Sequence, residues 1–437
     1  MDAINEKTIV TNGFRLHMIP TTKYKTIHFV VKFKALLNRE TITTRALLPY
    51  VLRQGTENYP TERKLQIKLD ELYGATLSID AAKKGNHHII SFRLEVANDK
   101  LINETKNRSL IEEAINFLKE VIFAPKTVEQ KSFDPQIVER EKKTLQHKIQ
   151  AIADDKMAYA NMRLISEMCA GELYEIPVYG YEKDLGNITA TSAYEYYQNM
   201  LTEDDLDIYI LGDFDQQLLQ NTISATFQRD HQPTEHDVEL TEGATIRKDV
   251  KEVIEKQPVQ QAKLHLGYRT NTTFRDEDYA ALQVFNGLYG SFPSSKLFIN
   301  VREKNSLAYY AASRLESHKG LLIVFSGIAS EDYEKAREII ELQMEAMKKG
   351  DFTEQELSET KGLIMSSLRE TLDHPQGTIE LLYQQVIANT KLTINEYFER
   401  INQVTKEDII KIAEKIHEDT VYLLTAEEGQ TDEENEL

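Results

Sequence analysis

The stretch Lys64-Leu65-Gln66-Ile67-Lys68-Leu69-Asp70-Glu71 returns, at an offset of 232 residues by subtraction, as Lys296-Leu297-Phe298-Ile299-Asn300-Val301-Arg302-Glu303. That interval is far longer than the roughly 20 to 50 residues of a solenoid repeat. It fits two copies of a domain-sized unit, and 437 residues exceed what one hydrophobic core ordinarily holds.

The order of signals repeats with the letters. In the first half, Lys7 to Val10, a turn at Thr11-Asn12-Gly13, and Phe14 to Pro20 form a hairpin pattern, with Thr26 to Phe33 as a third strand. A helix follows from Thr43 to Arg53, where Pro49 predicts a kink or a shorter element. Then come a helix from Glu62 to Leu72, strands Thr76 to Ala81 and His87 to Val96, a helix from Ser109 to Val121, charged helical sequence from Pro135 to Met168, and a buried strand at Asp207 to Gly212. The second half reads strand Gln261 to Tyr268, helices Asp276 to Gly287 and Ser294 to Lys304, strands Leu307 to Glu316 and Gly320 to Ile328, and long helices Ser330 to Lys349 and Glu354 to Leu372. The predicted fold is α+β: two duplicated domains, each a mainly antiparallel sheet packed against helices. The expected boundaries are 1–228 and 251–425, a polar linker at 229–250, and an acidic tail at 426–437 that cannot bury a core and is expected to be disordered.

No apolar run reaches the roughly 18 to 20 residues of a membrane span, and no basic-then-apolar leader opens the chain, so a cytoplasmic location is expected. The single cysteine, Cys169, excludes internal disulfides and reads as a buried small side chain. A formal net charge of −19 opposes nucleic acid and anionic membranes as partners.

Arg302 and Tyr309 flank a break at Asn305-Ser306, between a short amphipathic helix and a strand. A guanidinium and a phenol reaching one groove would grip a peptide carbonyl or carboxylate. Equally, they read as a surface arginine and a half-buried strand tyrosine.

With this turn in the second of two such units, the chain resembles the M16 (insulinase and pitrilysin-like) family of metallopeptidases over nearly its whole length. The resemblance rests on Ser294-Ser295-Lys296-Leu297-Phe298, Val301-Arg302-Glu303-Lys304 and Leu307-Ala308-Tyr309, with Val138-Glu139-Arg140-Glu141, Ile176-Pro177-Val178-Tyr179-Gly180 and Leu211-Gly212-Asp213-Phe214-Asp215 as further signposts. The resemblance implies that Arg302 and Tyr309 hold substrate. It also implies a His-x-x-Glu-His zinc motif shortly before a Gly-Thr pair. Counted back from Gly55-Thr56, those positions hold Ala46, Pro49 and Tyr50, and the position of the third ligand holds Lys148. None can ligate zinc in the family's manner, so no metal or cofactor is expected in this chain and zinc only in a partner.

Histidines elsewhere do not rebuild the site. His231 and His236 are five apart in a polar stretch with Pro233; His87 and His88, adjacent on a strand, point to opposite faces; His265 reads as a core histidine satisfied by a local hydrogen bond. The pairs Asp204-Asp205 and Glu338 with Glu341 read as solvated carboxylates.

Some family members divide labour between two chains. The resemblance therefore implies a non-catalytic, substrate-binding subunit of a heterodimeric zinc peptidase, acting on a peptide beside a similar chain that carries the zinc motif, with homodimerisation left open. A degenerate assembly protein without peptidase role is the alternative; a peptidase with relocated ligands is a third.

Overall fold

The computed structural model of the chain describes residues 4–11, 13–102, 109–230 and 247–427. They form two compact units, one from Met1–Ala151 with Ile176–His236, the other from Ile152–Glu175 with Asp237–Leu437.

The first half contains β1 (Lys7–Thr11), β2 (Phe14–Pro20), β3 (Thr26–Leu36), α1 (Ile42–Leu52), α2 (Glu62–Glu71), β4 (Thr76–Lys84), β5 (His87–Ala97), α3 (Leu110–Phe123), the short ladder β6 (Thr127–Val128) and β7 (Ser132–Phe133), α4 (Pro135–Asp154), α5 (Lys156–Met168), α6 (Ala190–Glu203), β8 (Asp205–Gly212) and α7 (Gln216–Thr226). The second half contains β9 (Lys251–Lys256), β10 (Ala262–Arg269), α8 (Tyr279–Asn286), β11 (Ala308–Glu316), β12 (Leu321–Ile328), α9 (Tyr333–Lys348), α10 (Glu354–Asp373), α11 (Pro375–Ala388), α12 (Ile394–Gln403), α13 (Lys406–Lys415) and β13 (His417–Thr425).

The sheets run β1-β2-β8-β3-β5-β4 and β11-β12-β10-β13-β9. From the β4 edge and from the β11 edge the two orders correspond, and in both the pairing beyond the central strands turns parallel, β8 with β2 and β13 with β9. The remaining pairs are antiparallel, so each unit is a mainly antiparallel sheet. The duplication seen in letters is thus a duplication of topology. Alternation along β3 sends Phe29, Val31 and Phe33 to the face covered by Leu47 and Leu48 of α1 and Ile115, Leu118 and Ile122 of α3. Leu264, Leu266, Leu322 and Val324 play that part in the second unit, beneath Phe285, Ile340 and Ile412.

Several expectations change. The charged run from Pro135 to Met168 is two helices, because the Asp155 side chain accepts from the Met157 and Ala158 amides at 3.1 and 3.0 Å and so starts a new helix. That second helix, α5, packs with the second unit, so a contiguous boundary at residue 228 misplaces 152–175. Ala160 and Leu164 bury against Ile323, Tyr422 and Leu424. Gly267 permits this approach: a Cβ there would stand 2.6 Å from Met168 Sδ. Glu255 fastens the helix by accepting from Tyr159 Oη at 2.6 Å, Tyr422 Oη at 2.8 Å and Arg163 Nε at 3.1 Å. Burial opposes its charge, yet these donors hold its carboxyl down at about 2.

Pro49 does not shorten α1, which runs unbroken from Ile42 to Leu52 because Leu47, Leu48 and Leu52 are all fully buried. Asp204 and Asp205 are buried ion-pair partners, of Arg45 at 2.6 Å and of Lys34 at 3.1 Å, and not solvated carboxylates. Part of the presumed linker is also structural: Arg229 donates to the carbonyls of Gly13 at 2.7 Å and Leu201 at 2.8 Å. His231, His236 and nearly all of the acidic tail lie outside the described residues. Among the described residues no helix is long and apolar enough to cross a membrane.

Candidate functional site

Arg302 sits on a π-helical turn, Phe298–Glu303, which opens the helix expected between Ser294 and Lys304 into wider i to i+5 bonding. Leu297 and Val301 anchor it in the core at 0% exposure. Asn300 ties it down, donating through Nδ2 to Lys296 O and to Gln343 Oε1 of α9, both at 2.9 Å. The exit is equally determined: Lys304 N donates to Ile299 O at 2.9 Å, Leu307 N to Val301 O at 3.1 Å, and Asn305 Nδ2 to Asn300 O at 2.7 Å. Ser306 takes φ +53°, the left-handed step that turns the chain into β11. Behind the turn, Gly290 is required, since a Cβ there would lie 2.8 Å from Ser313 N.

On this support both named side chains face solvent. The Arg302 guanidinium lies over the Phe298 ring at 4.6 Å, and among the described residues no carboxylate pairs with it. Tyr309 is 79% exposed, which excludes the half-buried strand tyrosine. It is the extra residue of a β-bulge, since the β11–β12 register shifts between Ala308 and Tyr310. Among the described residues β11 is also the edge of its sheet, with no strand paired on its outer side. A turn braced by these bonds thus presents a cation with five donors and a phenol beside an edge strand, groups that can bond to carbonyls and carboxylates.

The positions corresponding to a zinc motif form a different environment. Ala46 is 1% exposed in the core of the first unit and Pro49 is buried beside it. Tyr50 is half-buried, and burial, with Tyr179 and Glu141 close by, raises its phenol above the usual value. The Lys148 ammonium lies 5.5 Å from the Tyr179 ring centroid. So Tyr50, Tyr179, Glu141 and Lys148 are neighbours, and α4 does face α1 here. A polar contact links α4 to the segment just after α1: Arg140 donates through Nη2 to Gln54 Oε1 at 2.5 Å and through Nε to Glu141 at 2.7 Å, while Gln54 Nε2 donates to the Tyr50 carbonyl at 3.2 Å. A methyl, a pyrrolidine, a protonated phenol and an ammonium do not fit Zn²⁺. Among the described residues no group of three or more His, Cys, Asp or Glu side chains is placed to hold a metal.

Beside the empty motif is a network that sequence reasoning missed. Arg45, 1% exposed, donates to Asp204 at 2.6 Å, His88 Nδ1 at 3.1 Å and Phe33 O at 3.1 Å. His88 Nε2 faces Val178 O at 3.0 Å; burial and the Arg45 charge drive its pKa down to about 3, so it is neutral and donates there. A charged residue amid Ile42 to Leu52 was the available signal. His265, by contrast, lacks the expected local hydrogen bond: among the described residues neither ring nitrogen has a partner, and burial, with Arg314 and Lys263 nearby, lowers its pKa to about 3. Cys169 is buried, as expected of a small core side chain.

The family model for the peptidase M16 inactive domain matches residues 187–363. The chain is similar to the "Probable inactive metalloprotease YmfF" of Bacillus subtilis (strain 168), at 46% identity over 431 residues, which covers 98% of this chain and 100% of that protein. It is more distantly similar to the "Uncharacterized zinc protease YmxG" of the same organism, at 23% identity over 68% of this chain and 72% of that protein. A solved structure of a conserved protein from Enterococcus faecalis V583 superposes with a TM-score of 0.89 at 35% identity, covering 98% of this chain and 100% of that one. The chain belongs to the M16 peptidase family.

Proposed function

We propose that this protein is the non-catalytic, substrate-binding subunit of a two-chain M16 peptidase. In this reading a similar chain with an intact His-x-x-Glu-His motif carries the zinc, and Arg302 and Tyr309 hold an unfolded peptide against it. The observation that carries the reading is a contrast between two regions of one chain. The turn bearing Arg302 and Tyr309 is braced from beneath while both side chains are offered to solvent. The metal-motif positions are taken over by core and by a polar tie. The peptide would add along the free edge of β11, with main-chain bonds supplying affinity and little sequence choice.

A test is to tag the chain in its native host, purify it under mild conditions, and assay the product for metal and for cleavage of an unstructured peptide. The reading expects a second M16 chain, zinc in proportion to that chain, and peptidase activity that this chain alone lacks. Zinc bound to this chain alone, or a complex without peptidase activity, would overturn it. The latter outcome favours the scaffold reading, which the Gln54–Arg140–Glu141 tie supports, because there the former site has become structural.

A further inference from the structure

Anchoring and display are divided between neighbouring side chains at the turn Phe298–Glu303. Leu297 and Val301 belong to the core cluster of the second unit and are fully buried. Phe298, between them in sequence, is neither in that cluster nor among the half-buried apolar residues packed against it. Its ring is half-buried, and over it lies the Arg302 guanidinium, 4.6 Å from the centroid. The backbone beneath the ring is held in place: Phe298 N donates to Oγ of the buried Ser295 at 3.4 Å, and Ile299 N donates to Ser295 O at 3.0 Å. A fixed platform that the core does not use thus carries the cation.

Spacing explains the pairing. Residues four apart on a helical turn stand one above the other, whereas successive residues do not face each other. Arg302 therefore meets Phe298 and not the adjacent Glu303, and no carboxylate pairs with it among the described residues. On a chain of net charge −19 an unguided guanidinium has many carboxylates to fold onto. An aromatic face attracts the cation without consuming its in-plane N–H donors, so all five stay available to a ligand.

We propose that Phe298 is a positioning residue for Arg302: its ring holds the guanidinium extended, with the N–H edges open, so that a carbonyl or carboxylate of a bound chain meets a cation already in place. Arg302 makes the contact, and Phe298 acts through it. Ordering a rotamer-rich side chain opposes binding, and the ring carries out part of that ordering beforehand, so its loss should weaken peptide binding about two- to tenfold. The consequence for binding rests on the peptide-holding reading; the hold of the ring on Arg302 does not.

The test changes the electrostatics of the ring and keeps its shape. The full chain is prepared with phenylalanine, or its mono-, di- or trifluorinated forms, in place of Phe298, and as Phe298→Leu. Fluorine drains the negative face of the ring, so its attraction for a cation falls along the series while its apolar body stays. The Nε–Hε NMR signal of Arg302, identified by its loss in Arg302→Lys, should lie upfield in the wild type relative to Phe298→Leu, because the ring current acts on it. Coincident signals would overturn the proposal. Affinity for a fluorescein-labelled unstructured peptide should fall stepwise with fluorination, at an unchanged thermal midpoint, and reach the two- to tenfold deficit in the trifluorinated chain. A ring that merely fills space leaves that series flat, and a flat series in a chain that binds peptide would equally overturn the proposal. If the wild-type chain binds no peptide, the peptide-holding reading fails, and the Arg302 signal still decides whether Phe298 holds the guanidinium.

Discussion

Rewriting the family motif into this chain should not make it a zinc protein. The variant is Ala46→His, Pro49→Glu, Tyr50→His, Lys148→Glu. Ala46 is 1% exposed within the cluster that includes Leu47, Leu48 and Phe33, so an imidazole there must displace close-packed neighbours. Overpacking a core costs about 1 to 3 kcal/mol, and an imidazole without a partner at that depth adds about 1 to 3 more. A carboxylate at the buried Pro49 position is taken out of water and adds several kcal/mol if it ionises. Gln54, just past the end of α1, accepts from Arg140 of α4, so the region already has a polar contact of its own where the motif would have to form. The single variant Ala46→His should therefore lose about 2 to 6 kcal/mol of stability. The fourfold variant should unfold at lower denaturant than the parent and carry no stoichiometric zinc. Chemical denaturation followed by circular dichroism, with metal analysis after gel filtration, reads both. A fourfold variant that binds one zinc per chain and unfolds no earlier than the parent would refute the reasoning.

Two further predictions concern the frame. Arg45→Met leaves the buried Asp204 without its principal cation and should destabilise the first unit by about 3 to 5 kcal/mol, while adding Asp204→Asn should recover part of the loss, as an unfolding double-mutant cycle would show. The Glu255 carboxyl is held at about 2, below its unfolded value, so its stabilisation is complete above the usual carboxylate range and is lost as pH falls toward 2; Glu255→Gln should remove that part of the acid sensitivity, visible as lower hydrogen-exchange protection factors in α5, corrected for the intrinsic rate at each pH, that no longer change between pH 5 and 3.

Much of the fold was legible because hydrophobic period and an internal repeat are properties of the chain alone. The interval between Lys64 and Lys296 announced two units, and the alternation through Thr26 to Phe33 and Gln261 to Tyr268 marked strands central to each sheet. β13 escaped notice, although it pairs with β10 and β9, because His417-Glu418-Asp419 opens it with charge. The partnership of α5 with the second unit was not readable, since a capping aspartate signals a new helix but not the sheet it will cover. At the site, the erasure of the metal ligands stood in the letters of Ala46, Pro49, Tyr50 and Lys148. That Asp204 is buried did not, because the cation that pairs with it, Arg45, lies far away in sequence.

The most direct measurement is the rate at which the proposed two-chain complex, purified from the native host, cleaves an unstructured peptide, with wild-type chain and with Arg302→Ala. Arg302 is exposed and makes no ion pair within the described residues, so its loss should leave folding and assembly intact. A charged hydrogen bond to substrate contributes about 1.5 to 3 kcal/mol, so the rate should fall about ten- to 150-fold. An unchanged rate in a complex that still assembles would contradict the claim that this chain holds the peptide.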